Sequence, residues 1–133
     1  MSNIKIGWSE VSITPDKKIM LAGQFYKRIS DSVETPITVT ALAVDSGKDH
    51  MVICSIDIES IDPILCETVR KRVKAELPDL DPDKIILAAT HSHTSFEYEG
   101  YHDPGLQALS KYLGKEEPEM QVAPGVMSPH EAT

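Results

Sequence analysis

The stretch MVICSIDIESIDPILCETVRKRVKAELPDLDPDKIILAATHSH, residues 51–93, decides the fold of this chain. Residues 51–58 are rich in β-branched side chains, and residues 84–91 form a second run that is almost continuously apolar. Both runs have the length and composition of strands. Between them the apolar period lengthens to about 3.6 residues, which is the period of an amphipathic helix. The stretch therefore predicts a strand, a helix and a second strand, in that order.

The helix of this unit has clear start and stop signals. Asp62 can cap it, Pro63 suits its first position because no N–H is needed there, and Pro78 ends it. We therefore predict a helix over residues 63–77. Its apolar face consists of Ile64, Leu65, Thr68, Val69, Val73 and Leu77. A strand, helix and strand in this order form a βαβ unit, which implies parallel strands and a right-handed crossover.

The residues before this unit add further strands. Residues 4–15 and 19–26 are β-like, and residues 37–44 form a hairpin with strand 51–58 through the turn residues DSGKD. The apolar run at 84–91 predicts a strand that is buried on both faces. The predicted fold class is therefore α/β, with a mixed β-sheet that contains the βαβ unit.

Composition and charge limit the class of protein. A chain of 133 residues fits one domain, so residues 1–133 are predicted to form a single domain. Its 41% apolar and 26% charged residues are typical of a soluble globular protein. The net charge of −8 repels phosphate backbones and anionic lipid surfaces, which argues against nucleic-acid binding. No apolar run approaches the roughly 20 residues that cross a bilayer, so no membrane span is predicted.

Two features of the sequence favour a cytoplasmic location. The start, MSNIKIGWSE, has no charged segment followed by an apolar one, so it does not have the pattern of a secretory signal peptide. Cys54 and Cys66 lie on different predicted elements inside apolar patterns. Such a pair favours reduced, buried thiols over a disulfide.

The last part of the sequence has weaker patterns. A short helix is predicted over residues 106–113, followed by an irregular tail over residues 115–133. Ser128 and Pro129 are typical of a helix start, but the sequence stops before another turn is complete. The tail is therefore either a frayed polar end or the interrupted part of a longer, truncated protein. A truncated sheet would expose an edge, through which we expect a homo-oligomer to form.

Two histidines, His91 and His93, stand at the end of the second strand of the βαβ unit. Residues two apart on an extended strand point to the same side, so both imidazoles can reach one zinc ion. The carboxyl ends of parallel strands are also where α/β sheets usually bind ligands. The neighbouring strand ends in CSIDIES, whose alternation directs Asp57 and Glu59 toward the same crevice. Asp57 would be an acid in an apolar strand, and a metal or a ligating histidine would be a suitable partner for it.

Plainer interpretations of these residues stand beside the metal site. A lone HxH at a strand end is more often a surface or hydrogen-bonded pair than a ligand pair. Asp57 is equally consistent with capping the turn that follows it. His102 and Asp103 are candidate further ligands in the next loop, although an ordinary loop is the commoner arrangement.

Other known motifs do not fit the sequence. A metallo-β-lactamase-type HxHxDH motif requires Asp and His at positions that are Ser95 and Phe96 here. An amidohydrolase barrel carries its HxH on the first barrel strand, whereas several predicted strands precede this one. The chain also contains neither a glycine-rich nucleotide loop nor a GxSxG nucleophile elbow.

Five segments in order give the chain a family resemblance over roughly residues 4–96. These segments are GWSEVSITPD, LAGQF, ETPITVTALAVDSG, VICSIDIESI and ILAATHSHTS. The first resembles an opening G…DITP strand and the last resembles an ILLSATHTHSGPGG motif. Together they resemble the N-terminal part of the neutral/alkaline, non-lysosomal ceramidase family. The glycine-rich stretch that follows the family's histidines is replaced here by Thr94, Ser95, Phe96 and Glu97.

The resemblance implies a zinc-dependent amide hydrolase and a larger α/β sandwich-like domain, of which this chain is the N-terminal portion. In that family one histidine of the motif ligates zinc, and a second histidine, a glutamate and a tyrosine from later in the chain complete the site. Carried onto this sequence, His91 is the favoured ligand, with His93 beside it and Asp57 close by as an outer partner. The implied substrate is a small-molecule or lipid-like amide, not necessarily ceramide.

Three hypotheses for the function follow. In the first, the chain is the N-terminal part of a ceramidase-like zinc hydrolase that cleaves a C–N amide bond with a metal-activated water, and its site is incomplete, so that it is inactive alone. In the second, it is a self-contained metal-binding or hydrolytic domain with a third ligand from Asp57, His102 or Asp103. In the third, it is a non-catalytic α/β module whose histidines only form hydrogen bonds.

Overall fold

The main sheet has four strands and carries the predicted βαβ unit. A computed structural model describes residues 3–23, 28–98, 112 and 126–127. The strands of the main sheet are β1 Lys5–Ser12, β3 Thr38–Asp45, β4 His50–Ile56 and β5 Ile85–Ala89. Their order is β1-β3-β4-β5, with β4 and β5 parallel and the other neighbours antiparallel. The predicted α/β class with a mixed sheet is confirmed.

A second, smaller sheet joins two distant parts of the chain. β2, Lys18–Ile19, pairs in parallel with β6, Val126–Met127. The predicted strand at 19–26 is thus reduced to a short pairing, followed by single bridges from Met20 to Ile29 and from Leu21 to Phe96. β6 lies within residues 115–133, which were predicted to form an irregular tail. The chain segment after β2 is therefore held by contacts with residues that are far away in sequence.

Helix α1, Pro63–Glu76, connects β4 to β5 as predicted. The Asp62 carboxylate caps it by accepting a hydrogen bond from the Leu65 N–H at 2.6 Å. Leu77 is the C-cap residue, so the predicted end at 77 is one residue too long. Pro78 follows, and a proline cannot continue the helical hydrogen-bond ladder. A 3-10 turn, Pro82–Lys84, then leads into β5.

The core lies between α1 and one face of the sheet. Ile56 and Ile58 are buried there together with Tyr98. The partly buried side chains around this cluster are Ile13, Val39, Cys54, Ile61, Leu65, Leu87, Ala89 and Phe96. The Tyr98 hydroxyl accepts a hydrogen bond from the Asp62 N–H and donates one to the Ser60 carbonyl, each at 3.0 Å. Tyr98 thereby fixes the loop that enters the helix.

The opposite face of the sheet is apolar and exposed. The strand register places Trp8, Leu42, Ile53 and Ile86 in one row across the sheet, with exposed fractions of 78%, 39%, 36% and 49%. The prediction that β5 is buried on both faces is therefore wrong. Its apolar run is continuous, but in the part of the chain that the structure describes helix α1 covers one face only.

β4 and β5 end two residues before their predicted bounds of 58 and 91. Hydrogen bonds nevertheless continue between the segments that follow the two strands. The Thr90 N–H donates to the Ile56 carbonyl at 2.9 Å, and the Ser92 N–H donates to the Ile58 carbonyl at 3.1 Å. Because of these bonds, the acidic segment after β4 lies directly beside the histidine segment after β5.

Several predictions fall where the structure gives little or no description. His102, Asp103 and nearly all of the predicted helix and tail lie outside the described residues, apart from helical Tyr112 and strand β6. The single-domain assignment therefore stays a prediction. Among the helices that are described, none is both long and apolar enough to cross a membrane. Cys54 and Cys66 are free, half-buried cysteines, and burial raises the pKa of the Cys54 thiol.

Candidate metal centre

The site begins with the backbone conformation of His91. Its φ of 63° lies in the left-handed region, which non-glycine residues rarely occupy. Such conformations cost roughly 1 kcal/mol or more and concentrate at functional sites. The predicted extended strand therefore does not reach His91. The two rings were predicted to converge because residues two apart on an extended strand point to the same side. In the structure they converge where the chain turns at His91.

The His91 ring is held by the backbone of Glu59. Its Nδ1 lies 2.8 Å from the Glu59 carbonyl oxygen. A carbonyl oxygen can only accept, so Nδ1 must carry the proton in this hydrogen bond. In the neutral ring, Nε2 is then left with a free lone pair. This is the tautomer that ligates a metal through Nε2 and donates through Nδ1 to a supporting group.

The His93 ring meets His91 through the same kind of nitrogen. The two Nε2 atoms are 3.2 Å apart, and the rings stand edge to face at an interplanar angle of 78°. Zinc–nitrogen bonds of about 2.0–2.1 Å in a tetrahedral site separate two ligand nitrogens by about 3.3–3.4 Å. The observed spacing is close to this value. It also suits an N–H···N hydrogen bond, if one ring carries its proton on Nε2.

Glu59 adds a carboxylate to the pair. One donor atom from each of Glu59, His91 and His93 can be chosen so that all lie within 4.8 Å of one another. A Glu59 oxygen lies 3.9 Å from His91 Nδ1. The His91 side chain is 67% exposed, so solvent reaches the cluster. Two imidazoles and a carboxylate are the donor types that zinc binds, and the residues present therefore fit a zinc ion.

Asp57 lies beside this cluster and has different partners. Its carboxylate accepts hydrogen bonds from the Thr38 N–H at 3.0 Å, the Thr38 hydroxyl at 2.9 Å and the Thr90 hydroxyl at 3.2 Å. These bonds lower the pKa of Asp57 below its ordinary value, and the Thr38 N–H is the largest cause. Asp57 thus joins the start of β3 to the ends of β4 and β5. The sequence predicted that Asp57 and Glu59 would lie in the same crevice. Among the described residues, Glu59 is the acid whose carboxylate lies close to the two histidines.

An apolar cavity lies between α1 and the sheet. Its volume is about 420 Å³. Its wall includes Ile58, which directly precedes Glu59, together with Phe96, Tyr98, Cys54 and Leu65. Cavities of this size and character commonly receive the apolar part of a ligand. The cavity reaches the segment after β4 at Ile58, whereas Glu59, His91 and His93 are not among its described lining residues.

Comparisons with known proteins identify the type of fold. The structure resembles that of neutral ceramidase from Pseudomonas aeruginosa, with a TM-score of 0.65 and 19% identity, over 71% of this chain and 16% of that chain. It also resembles a ceramidase complexed with C2, with a TM-score of 0.61, 19% identity and the same two coverages. No protein-family model and no curated protein sequence matches the chain. The likeness shows a ceramidase-like fold, and this chain spans 16% of the length of those structures.

Proposed function

We propose that this chain carries part of the metal site of a zinc-dependent amide hydrolase. His91 and His93, together with Glu59, are the proposed ligands. The observation that carries the proposal is the convergence of the three donor groups within 4.8 Å. Two facts support it: the cluster follows the carboxyl ends of two parallel strands, and the fold is like that of neutral ceramidase.

Zinc suits this donor set better than other common metals. Magnesium and calcium prefer oxygen ligands, whereas the His91 and His93 imidazoles present nitrogen. Zinc in proteins is usually four-coordinate, so Glu59, His91 and His93 would leave one position for a further ligand or for water. The exposure of His91 provides the access that a substrate needs. The resemblance to the ceramidase family points to the same metal.

The residues of the chain have separate roles in the proposed site. Zinc, when bound, would lower the pKa of water toward neutrality and polarise the amide carbonyl. The Glu59 carbonyl holds the His91 ring through Nδ1–H, while the Glu59 carboxylate places a negative charge at the cluster. Asp57 keeps the ends of β4 and β5 together from outside the ligand set. These roles account for why two acids stand two residues apart at this strand end.

The proposed substrate is a lipid-like or small-molecule amide whose C–N bond is cleaved by water. The likeness to ceramidase structures supports an amide with an apolar chain. The cavity of about 420 Å³ beside Ile58 offers a place for such a chain. His102 and Asp103 remain predicted further ligands. A homo-oligomer through the sheet edge and a cytoplasmic location also remain predictions, and the free cysteines Cys54 and Cys66 support the latter.

The test is a zinc titration of the metal-free protein against a competing chelator. We expect one zinc per chain with sub-micromolar affinity. His91→Ala, His93→Ala and Glu59→Ala should each weaken binding by more than the roughly 10–100-fold that loss of an outer partner costs. His50→Ala is the matched control, because His50 Nε2 accepts a hydrogen bond from the Asp81 N–H outside the cluster. Wild-type affinity in the three variants, or no zinc in the wild type, would contradict the proposal.

Hydrolysis of short-chain N-acyl amides by the zinc-loaded protein separates the remaining hypotheses. Turnover that is lost in His91→Ala and retained in His50→Ala supports a chain that is catalytic by itself. Zinc binding without turnover supports a metal-binding module or a site that needs further ligands. The metal-binding module and the incomplete site are distinguished by mixing the chain with a later ceramidase-like segment that carries a His, a Glu and a Tyr. Turnover should appear in this mixture only if the site of the chain is incomplete.

A further inference from the structure

The backbone of Gly23 lies directly against the His93 ring. A Cβ atom added to Gly23 would stand 2.4 Å from Cγ, 2.5 Å from Nδ1 and 2.8 Å from Cδ2 of His93. Real side chains do not approach this closely, so a glycine is required for the ring to occupy its position. Gly23 also has a φ of +76°, which favours glycine independently. Gly23 contacts the part of the ring that is nearest to the Cβ atom of His93. The Nε2 atom of His93 is not part of this contact and lies next to His91.

The main chain of His93 is anchored to the same segment. One nitrogen, Nη2 of Arg28, donates hydrogen bonds to the His93 carbonyl and to the Ala22 carbonyl. The Ala22 N–H donates to the Ser95 carbonyl at 3.0 Å, and the Leu21 N–H donates to the Arg28 carbonyl at 2.9 Å. The first of these two bonds joins the segment before Gly23 to the segment after His93, and the second joins the segment before Gly23 to Arg28.

This support is buried and therefore well defined. Ala22 is 3% exposed, Met20 is 3% exposed and Ser95 is fully buried. The Glu97 N–H also donates to the Met20 carbonyl at 2.8 Å. A close-packed segment transmits small shifts, because its atoms cannot move independently. A group placed against it, such as the His93 ring, is fixed more firmly than an ordinary exposed side chain.

We infer that Gly23 and Arg28 are positioning residues that hold the His93 imidazole ready to bind metal beside His91. The inference rests on the proposed function but concerns residues that this function does not name. A ligand ring that is already in place loses less conformational freedom on binding, which raises the affinity. Gly23 acts by admitting the ring, and Arg28 acts by fixing the backbone from which the ring extends.

The chain offers a matched control for Gly23. Gly47, in the β3–β4 turn, has the same φ of +76°, but a Cβ there would have no atom within 4 Å. Gly23→Ala and Gly47→Ala therefore introduce similar backbone strain, and only the first would displace the His93 ring. In the zinc titration we expect Gly47→Ala to match the wild type and Gly23→Ala to bind roughly 10–100-fold more weakly. Equal affinities in the two variants would overturn the inference.

A measurement without metal separates this inference from the proposed function. Nitrogen–proton NMR correlations of the histidine rings in metal-free protein report ring environment and tautomer. Gly23→Ala should shift the His93 signals and leave those of His50 in place, whereas Gly47→Ala should shift neither. Unchanged His93 signals in Gly23→Ala would refute the positioning role even if zinc binds. If Gly23→Ala shifts the His93 signals but the wild type binds no zinc, the metal site is refuted and the positioning role is retained.

Arg28 provides a second variant if Gly23→Ala fails to fold. Arg28→Ala removes the bonds to the His93 and Ala22 carbonyls and adds no backbone strain at position 23. The His93 ring signals should then shift in the metal-free NMR spectrum, and zinc affinity should fall while its stoichiometry stays one per chain. Arg28→Lys, which retains a charged donor, should recover part of that affinity. A wild-type spectrum and wild-type affinity in Arg28→Ala would overturn the role of Arg28.

Discussion

Asp57→Ala should destabilise the fold, because it loosens the end of the sheet at which the strands lead into the site. The Asp57 carboxylate accepts two hydrogen bonds from Thr38, at 3.0 and 2.9 Å, and one from the Thr90 hydroxyl at 3.2 Å. It thus links the start of β3 to the ends of β4 and β5, in addition to the backbone hydrogen bonds from the Asp57 N–H to the Thr38 carbonyl and from the Thr90 N–H to the Ile56 carbonyl. The substitution removes the acceptor and leaves the Thr38 N–H without this partner.

The magnitude follows from the surroundings of these bonds. Hydrogen bonds to charged groups contribute roughly 1.5–3 kcal/mol when they are well shielded from water. Asp57 and Thr38 are half-buried and Thr90 is exposed, so water replaces part of what is lost. We take about 1 kcal/mol for each Thr38 bond and little for the Thr90 bond, which gives about 2 kcal/mol in the free energy of unfolding. For a chain of this size the midpoint temperature should fall by about 6–8 °C.

The effect of Asp57 on stability should also depend on pH. Its pKa is below the ordinary value of 3.8 in the folded protein. The stabilisation is therefore complete above the unfolded pKa and is lost as the pH falls through the folded pKa. The difference in unfolding free energy between the wild type and Asp57→Asn should be constant from about pH 5 to pH 8 and should shrink below about pH 4.

Urea unfolding followed by circular dichroism measures both effects. Asp31→Ala is the control, because the exposed Asp31 accepts a hydrogen bond from its neighbour Ser32 at 3.2 Å and joins no strands. It should change the free energy of unfolding by less than about 0.5 kcal/mol. If Asp57→Ala were no less stable than Asp31→Ala, the carboxylate would not be what holds the strand ends together.

Two further substitutions and one measurement on the wild type test other parts of the structure. Glu59→Gln should weaken zinc binding in the chelator titration while the His91 tautomer seen by NMR stays the same, because His91 is held by the Glu59 carbonyl; a changed tautomer would contradict this. Asp62→Ala should lower the free energy of unfolding in urea by about 1 kcal/mol through loss of the helix cap on the Leu65 N–H, and an unchanged value would argue against the cap. Trp8, which is 78% exposed, should emit at long wavelength and be quenched readily by acrylamide, whereas a blue-shifted, protected emission would mean that this sheet face is covered in solution.

The helix, the hairpin and the parallel βαβ pairing could be predicted because their signals are local, whereas no place in the sheet was predicted for β1. Asp62, Pro63 and Pro78 define the ends of α1 within one residue, and the hairpin turn follows from DSGKD with Gly47 at a positive φ. The strand ends could not be predicted as well. Apolar alternation continues through Ile58, whereas regular pairing stops at Ile56 because the chain bends there.

The site could be predicted in part. The HxH pattern identified the two histidines whose rings converge. Its position after a parallel strand predicted that they lie at the carboxyl end of the sheet. The sequence could not show that His91 adopts a left-handed conformation, nor that its ring bonds to Glu59, a residue 32 positions away. Nor could it identify Arg28, which contacts the His93 carbonyl across 65 residues of sequence. Contacts of this kind come from tertiary packing and leave no local pattern.

X-ray absorption spectroscopy of the zinc-loaded chain tests the central claim most directly, because it counts the imidazole ligands around the metal. If His91 and His93 bind the ion as proposed, the wild type should show two imidazoles at about 2.0–2.1 Å and His93→Ala should show one. His50→Ala should retain both. Zinc bound without imidazole scattering, or with the same scattering in His93→Ala, would contradict the metal site.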